Sequence, residues 1–576
     1  MSGTSATATP LHQPAPRGFV PKELKIESWN SLEPLYGELE QRSIDSPGEL
    51  VKWLEDLSEL ETVVQEHVGW LYIRMTCDTQ DARLTEAYTF FVNEINPHIE
   101  PVNDRLNRKL IECPYAASLP AEYSIYLRQV GNALRIFREE NVPLNAELTV
   151  KEQKFGEIAG AMSVEVDGKE LTLQQASNFL RIPDRAKREA VYRKIVDRRL
   201  KDRDALDGLF DELVALRHRI ARNAGFDTYR DYKFTDLDRF DYDAADCQAF
   251  HESVRLHVVP LLDELLEERR RSMGLPALRP WDLEVDVKGR PDLKPFADGT
   301  ELARKTIACF SEIDSSFGEV VRTLERMKFM DLDSRLGKAP GGYNYPLYET
   351  GVPFIFMNSS GSLRDLVTMV HEGGHAIHSM LTRNLPFIGF KELPSEVAEL
   401  ASMSMELISM EHWHHFLSDP EELRRAKQEQ LENVIEALPW IICIDRFQHW
   451  LYTNPEHSAA ERTAFWVENY RMFSGSLVDW TGFEAAREAL WQKQLHLFEV
   501  PFYYIEYGMA QLGAIAMWKR YREEPKAAVA GYVAALEKGY RCSIPEVYSA
   551  AGIRFDFSES YIRELIGFVR EEYRKL

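Results

Sequence analysis

Residues 362–378 read SLRDLVTMVHEGGHAIH, and the rest of the chain is best understood outward from them. Ser362 can cap a helix, and Asp365 three positions on completes a Ser-x-x-Asp capping pattern. Leu363, Leu366, Val367 and Val370 then follow with the spacing of one apolar helical face. Along the helix this predicts runs His371-Glu372-Gly373-Gly374-His375. Residues i and i+4 stand one turn apart on one face, so both imidazoles can bind a single ion. Glu372, next to His371, can reach a water held by that ion. Given 15 histidines in the chain, a chance HExxH is expected only about 0.04 times. Each interior glycine costs a helix about 1 kcal/mol relative to alanine. The pair Gly373-Gly374 therefore predicts close approach of a substrate or of a neighbouring backbone.

A catalytic zinc takes three protein donors and keeps one position open. The HExxHxxGxxH pattern is absent, and a third ligand at His378 is awkward on the same helix, which leaves that residue a supporting or structural role. The better source is the acidic helix opened by Pro394-Ser395, where Glu396, Glu399 and Glu406 fall on related faces among Val397, Ala398, Leu400 and Ala401. Spacing alone leaves Glu396 and Glu399 as alternatives.

Upstream, Gly341-Gly342-Tyr343-Asn344-Tyr345 and Val352–Met357 read as two short strands around a loop. Asp167-Gly168 between the runs 162–166 and 169–173 is a hairpin signal, because a type I′ turn needs two residues with positive φ. Elsewhere helical periodicity dominates. Residues 1–20 read as a flexible Ser/Thr/Ala/Pro tail, 21–200 as an N-terminal helical region carrying that hairpin near 162–173, and 201–576 as the catalytic region. His412, His414 and His415 read as ordinary helix residues, lacking an acidic partner pattern. Phe502-Tyr503-Tyr504 with Tyr507 reads either as an aromatic core stripe or, with His496 and Gly508 nearby, as a set of oxyanion donors.

The 576 residues, 44% hydrophobic and 28% charged, exclude wholesale disorder, and the net charge of −23 argues against nucleic acid and anionic membrane as partners. Cys77, Cys113, Cys247, Cys309, Cys443 and Cys542 are dispersed, without a CxxC pair, which disfavours disulfides and cysteine-based metal sites. The start has no apolar signal region and no run is long enough to span a bilayer, so the cytoplasm is the expected compartment.

HEGGHAIH (371–378), PSEVAELAS (394–402) and HLFEVPFYYIEYGMA (496–510), in that order, resemble the M3 zinc metallopeptidases, the oligoendopeptidase F branch most closely and thimet oligopeptidase more distantly. MSVEVDGKELTL (162–173), FDTYRDYKF (226–234) and GKAPGGYNYP (337–346) extend the resemblance from Met162 to the C-terminus. It implies a mainly α, ellipsoidal fold with a deep central channel, small β segments and one Zn²⁺ per chain. The zinc would be held by His371, His375 and Glu399, with Glu372 as general base and Glu396 left as an exposed or supporting acid. His496, Tyr504 and Tyr507 match the residues that stabilise the scissile carbonyl, Tyr503 lying adjacent. Gly373 stands where many relatives carry a larger residue, a change expected to widen the site. The expected activity is hydrolysis of internal bonds in oligopeptides, the segment Gly342, Tyr343 and Tyr345 pairing with substrate backbone. Two alternatives stand beside it: a zinc hydrolase of the same fold acting on a modified or non-peptide amide, and a non-catalytic helical peptide-binding protein.

Overall fold

The computed structural model describes residues 17–576, and its class is mainly α, as the periodicity predicts. The chain forms two units, each assembled from three segments. The first takes the chain up to Leu134, Leu293–Ala426 and Gly513–Phe555; the second takes Arg135–Asp292, Lys427–Leu512 and Asp556–Leu576. The elements that matter below are, in chain order, α1 (Pro47–Cys77), β1 (Ser163–Val166), β2 (Lys169–Thr172), α2 (Ala244–His257), α3 (Gly299–Ile313), β3 (Met330–Asp333), β4 (Tyr343–Tyr345), β5 (Phe354–Ser359), α4 (Leu363–Thr382), α5 (Ser395–Ser409), α6 (Pro420–Thr453), α7 (Tyr504–Glu523) and α8 (Pro525–Leu536).

In the first unit, α1 begins where Ser46 accepts a hydrogen bond from the Glu49 amide and Pro47 takes the first helical turn, where a missing N–H is harmless. Its apolar stripe, Leu50, Trp53, Leu54, Leu57 and Leu60, enters a core that also holds Leu32, Tyr36, Leu39, Phe387 and Phe390. The start of the described chain is fastened to this helix. The amides of Gly18, Phe19 and Val20 donate to the Glu59 carboxylate, and Arg17 pairs with Glu349. The tail expected over residues 1–20 thus lies outside the described residues up to 16, and 17–20 are anchored rather than free, because one carboxylate collects three backbone donors.

A three-stranded sheet of order β3-β5-β4 sits beside α4. β4 pairs antiparallel with β5, Tyr343 opposite Phe356 and Tyr345 opposite Phe354, while β3 runs parallel on the other side. The sequence signals mark β4 and β5 but not β3, whose four residues MDLD alternate apolar and polar yet are few and carry no β-branched or aromatic residue. In the second unit β1 and β2 form a hairpin in which Asp167 (φ 54°) and Gly168 (φ 76°) make the turn.

Candidate active site

α4 starts with a complete capping box. The Ser362 hydroxyl accepts from the Asp365 amide at 3.2 Å, and the Asp365 carboxylate accepts from the Ser362 amide at 2.9 Å. The helix packs along α5, and Gly374 makes the approach possible. A Cβ at that position would lie 2.6 Å from Ser402 Cα and 2.7 Å from the Ala401 carbonyl oxygen. The α5 backbone is held from its other side: Tyr532 on α8 donates to the Ala401 carbonyl at 2.8 Å, and Tyr548 to that of Glu396 at 3.0 Å. Gly373 serves a different neighbour. Its missing Cβ would stand 2.6 Å from the Phe310 ring of α3, so this glycine admits a packed helix and does not widen the site.

The result is a convergence of three donors. His371 Nε2 lies 3.4 Å and His375 Nε2 3.9 Å from Glu399 Oε2, and one ligand atom from each residue lies within 4.8 Å of the others. Ligands about 2.0–2.2 Å from a tetrahedral zinc are about 3.3–3.5 Å apart, so the donor set suits such an ion once His375 and Glu399 close by a few tenths of an ångström. Ser402 Oγ donates to Glu399 Oε2 at 3.2 Å, fixing the carboxylate. Behind the first histidine stands Glu406, whose Oε1 lies 2.7 Å from His371 Nδ1. This carboxylate–imidazole contact assigns the Nδ1 proton and leaves Nε2 as the free lone pair. The sequence reading placed Glu406 on the right face and gave it no role; its position seven residues after Glu399, two helical turns, was the available signal.

Electrostatics at the site are dominated by burial and by mutual charge. Burial opposes charge on His371, but Glu406, Glu399 and Glu372 outweigh it and push its pKa up to about 9. Burial, then the neighbouring His371, holds His375 well below the ordinary imidazole value. Burial pushes the Glu372 carboxyl up to about 7; His371 pulls it down and Glu399 adds to the rise, while the Asn344 amide of β4 donates to it. A divalent cation among these groups favours neutral imidazoles and ionised carboxylates, reversing the order.

Other predicted residues fall as follows. Glu396 is buried in the first turn of α5, so of the two roles expected for it, exposed or supporting, only the second is compatible with its place. His378 is buried against the backbone of Leu536 and stands outside the donor group. His412, His414 and His415 lie on the 3₁₀ segment after α5 and converge on Glu312 of α3, with nitrogen–oxygen distances of 3.3, 3.2 and 2.6 Å. Their acidic partner was invisible in the sequence because it comes from about a hundred residues upstream. Tyr343 and Tyr345 turn their side chains inward. Tyr343 stacks on Phe356 and bonds Thr76 at 2.6 Å, and Tyr345 lies over Gly69 of α1, where a Cβ would be 2.5 Å from the ring. What β4 offers outward is its backbone edge, and Gly342, at its start, lies against the Phe356 carbonyl.

The second unit carries the other predicted group. Gln494 Nε2 donates to His496 Nδ1 at 2.7 Å, and Trp440 Nε1 donates to Gln494 Oε1 at 3.0 Å. This chain sets the His496 tautomer, with its proton on Nε2. Burial lowers the His496 pKa to about 4, so the ring is neutral at neutral pH. Tyr504 packs against it at 4.6 Å between centroids, Tyr507 at 6.1 Å and Tyr503 at 6.3 Å. Just before these tyrosines Phe502 has a φ of 68°, a left-handed conformation that costs a bulky residue about 1–3 kcal/mol. Its amide donates to Gln448 Oε1 at 2.6 Å and its carbonyl accepts from Arg239. That strain left no trace in the sequence.

A histidine pair on one helix with a glutamate from the next is the donor set of a zincin-type centre. Residues 178–566, more than half of the chain, match peptidase family M3, and residues 19–137 match the peptidase M3 N-terminal domain. The chain belongs to peptidase family M3. It is 30% identical over 161 residues to an oligoendopeptidase F homolog of Lactococcus lactis, covering 28% of this chain and 26% of that one. It is 25% identical over 292 residues to an oligoendopeptidase F homolog of Borreliella burgdorferi, covering 49% and 48%. These alignments thus span between about a quarter and about half of the relatives' own lengths. Among solved structures, PZ peptidase A with an inhibitor superposes with a TM-score of 0.88 at 25% identity, covering 97% of this chain and 99% of that one. The fold is also that of oligoendopeptidase F from Enterococcus faecium, with a TM-score of 0.65 at 16% identity, covering 95% and 97%.

Proposed function

We propose that the chain is a zinc-dependent endopeptidase that hydrolyses internal bonds of oligopeptides. The observation that carries this reading is the placement of Glu372 beside three donors, His371, His375 and Glu399, whose spacing suits one tetrahedral ion. Zinc bound there supplies a positive charge that polarises a water and draws its pKa toward about 7. Glu372 takes the proton from the attacking water and passes it to the leaving amine. With a cation beside it the Glu372 carboxyl is held ionised, able to take that proton and then return it. Glu406 holds the His371 ring in the tautomer that leaves Nε2 for the metal. By family resemblance His496, Tyr504 and Tyr507 donate hydrogen bonds to the carbonyl oxygen as it gains charge, and a neutral imidazole with its proton on Nε2 is chemically able to do so. The outer edge of β4 offers backbone groups for an extended peptide, which gives affinity with little side-chain choice.

All six cysteines are free thiols, which supports a reducing, cytoplasmic setting. No helix among the described residues is long and apolar enough to cross a membrane.

The test is a length series of internally quenched peptides, assayed before and after chelation. Internal cleavage that disappears with a chelator and returns with zinc is expected. Turnover of a non-peptide amide alone, or no turnover by the zinc-loaded protein, would contradict the proposal.

A further inference from the structure

The second unit holds another convergence of metal-binding side chains. Cys247 and His251 lie one turn apart on α2, and Asp445 and His449 one turn apart on α6. His251 Nε2 is 2.7 Å and His449 Nε2 3.2 Å from Asp445 Oδ2, and one donor atom each of Cys247, Asp445 and His449 lies within 4.8 Å of the other two. All are removed from solvent: Cys247 and Asp445 are 0% exposed, His251 4% and His449 6%.

Asp445 Oδ1 and His449 Nδ1 have no hydrogen-bond partner, while His449 Nε2 has the Asp445 Oδ2 contact at 3.2 Å. Buried polar atoms without partners are rare, because each carries an unrecovered desolvation cost. The Phe234 and Phe502 rings stand edge-on to the imidazole at 5.8 and 5.4 Å and offer it no hydrogen-bonding group. A cavity of about 360 Å³, lined by His251 and His449 together with Gln248, Glu252 and Arg446, reaches the two imidazoles, with Cys247 and Asp445 behind them. The Arg446 charge there is turned toward Asn469, 2.9 Å from its Nη1.

We propose that Cys247, Asp445 and His449 bind a transition-metal cation of the zinc class, with His251 as a positioning residue that orients Asp445. One sulfur, one imidazole and one carboxylate favour such an ion over calcium or magnesium, which take oxygen ligands. Binding forms a metal–sulfur bond as the Cys247 thiol gives its proton to solvent, and fills the unpartnered positions on Asp445 and His449. The ion ties α2 to α6. The expectation against cysteine-based metal sites then fails at one position. Its partner residues are some two hundred positions away, so no CxxC-like spacing announces the site.

Cobalt distinguishes this site from the one on α4, which has no sulfur donor. Full-length protein stripped by a chelator and titrated with Co²⁺ is expected to bind two equivalents and to show a near-ultraviolet thiolate-to-cobalt charge-transfer band. Cys247→Ser should lose the band and one equivalent while keeping the other, and His371→Ala should keep the band. His251→Gln should weaken binding at the sulfur site about 10–100-fold. Should Cys247→Ser fail to fold, His449→Gln serves, with loss of the band at the same cobalt concentration. A cobalt-saturated wild type without the band, or a band undiminished in Cys247→Ser or His449→Gln, overturns the proposal.

Discussion

Glu399 and Glu406 lie two turns apart on one helix yet do different work. Glu399 turns its carboxylate toward both histidine Nε2 atoms, whereas Glu406 takes the Nδ1 side of His371 and never meets the donor centre directly. Removing a carboxylate that orients a metal-binding histidine typically costs 10–100-fold in metal affinity. Glu406→Gln should therefore weaken zinc binding about 10–100-fold in a competition assay with a coloured chelator, with the fold unchanged by circular dichroism. An unchanged affinity would remove Glu406 from the site. Much of this residue-scale chemistry was legible in the sequence because it rests on local spacing: the two histidines and Glu372 are fixed by one helix. The choice of Glu399 over Glu396 was not legible from spacing, since both stand on α5 and only the packing of α5 on α4 decides which one faces the histidines.

At the scale of elements, the close contact of α4 and α5 depends on the absence of one methyl group. At Gly374 the added carbon meets backbone, Ser402 Cα and the Ala401 carbonyl, which cannot turn aside. At Gly373 it meets the Phe310 ring, which can. Alanine gains about 1 kcal/mol of helix propensity at either place, but overpacking a tight contact costs about 1–3 kcal/mol. Gly374→Ala should consequently be the more damaging change, lowering stability by up to about 2 kcal/mol net in chemical denaturation and separating Glu399 from the histidines. A Gly374→Ala protein more stable than Gly373→Ala would contradict this account of the helix contact. The glycine pair itself announced a close approach in the sequence, but which neighbour each faces is a tertiary fact. The same division holds for the strands: β4 and β5 carry aromatic and apolar signals, while the short alternation MDLD of β3 becomes a strand only beside β5.

At the scale of the molecule, each unit is closed by chain segments far apart in sequence, as when Gly513–Phe555 returns to clamp α5 through Tyr532 and Tyr548. His378 lies in that same interior, 2% exposed, and burial lowers its pKa to about 3 despite the hydrogen bond its ring donates to the Leu536 carbonyl. An unfolded histidine titrates near 6.5. Between these values the unfolded chain holds the extra proton, so this residue makes stability rise with pH up to about 6.5 and fall on acidification. The part of the loss between pH 7 and 5 due to His378 is about 2 kcal/mol. His378→Gln should flatten the stability profile over that range by a comparable amount, and an unaltered slope would mean the histidine is charged in the folded protein.

The proposed activity leans on one assignment, Glu372 as the base beside a metal held by His371, His375 and Glu399. Glu372→Gln changes the acid–base group and leaves the three donors in place, so the measurement is zinc content and peptide hydrolysis on the same preparation. One zinc bound by the donors of α4 and α5 and hydrolysis reduced by several orders of magnitude is the predicted result; full hydrolysis with zinc retained would contradict it.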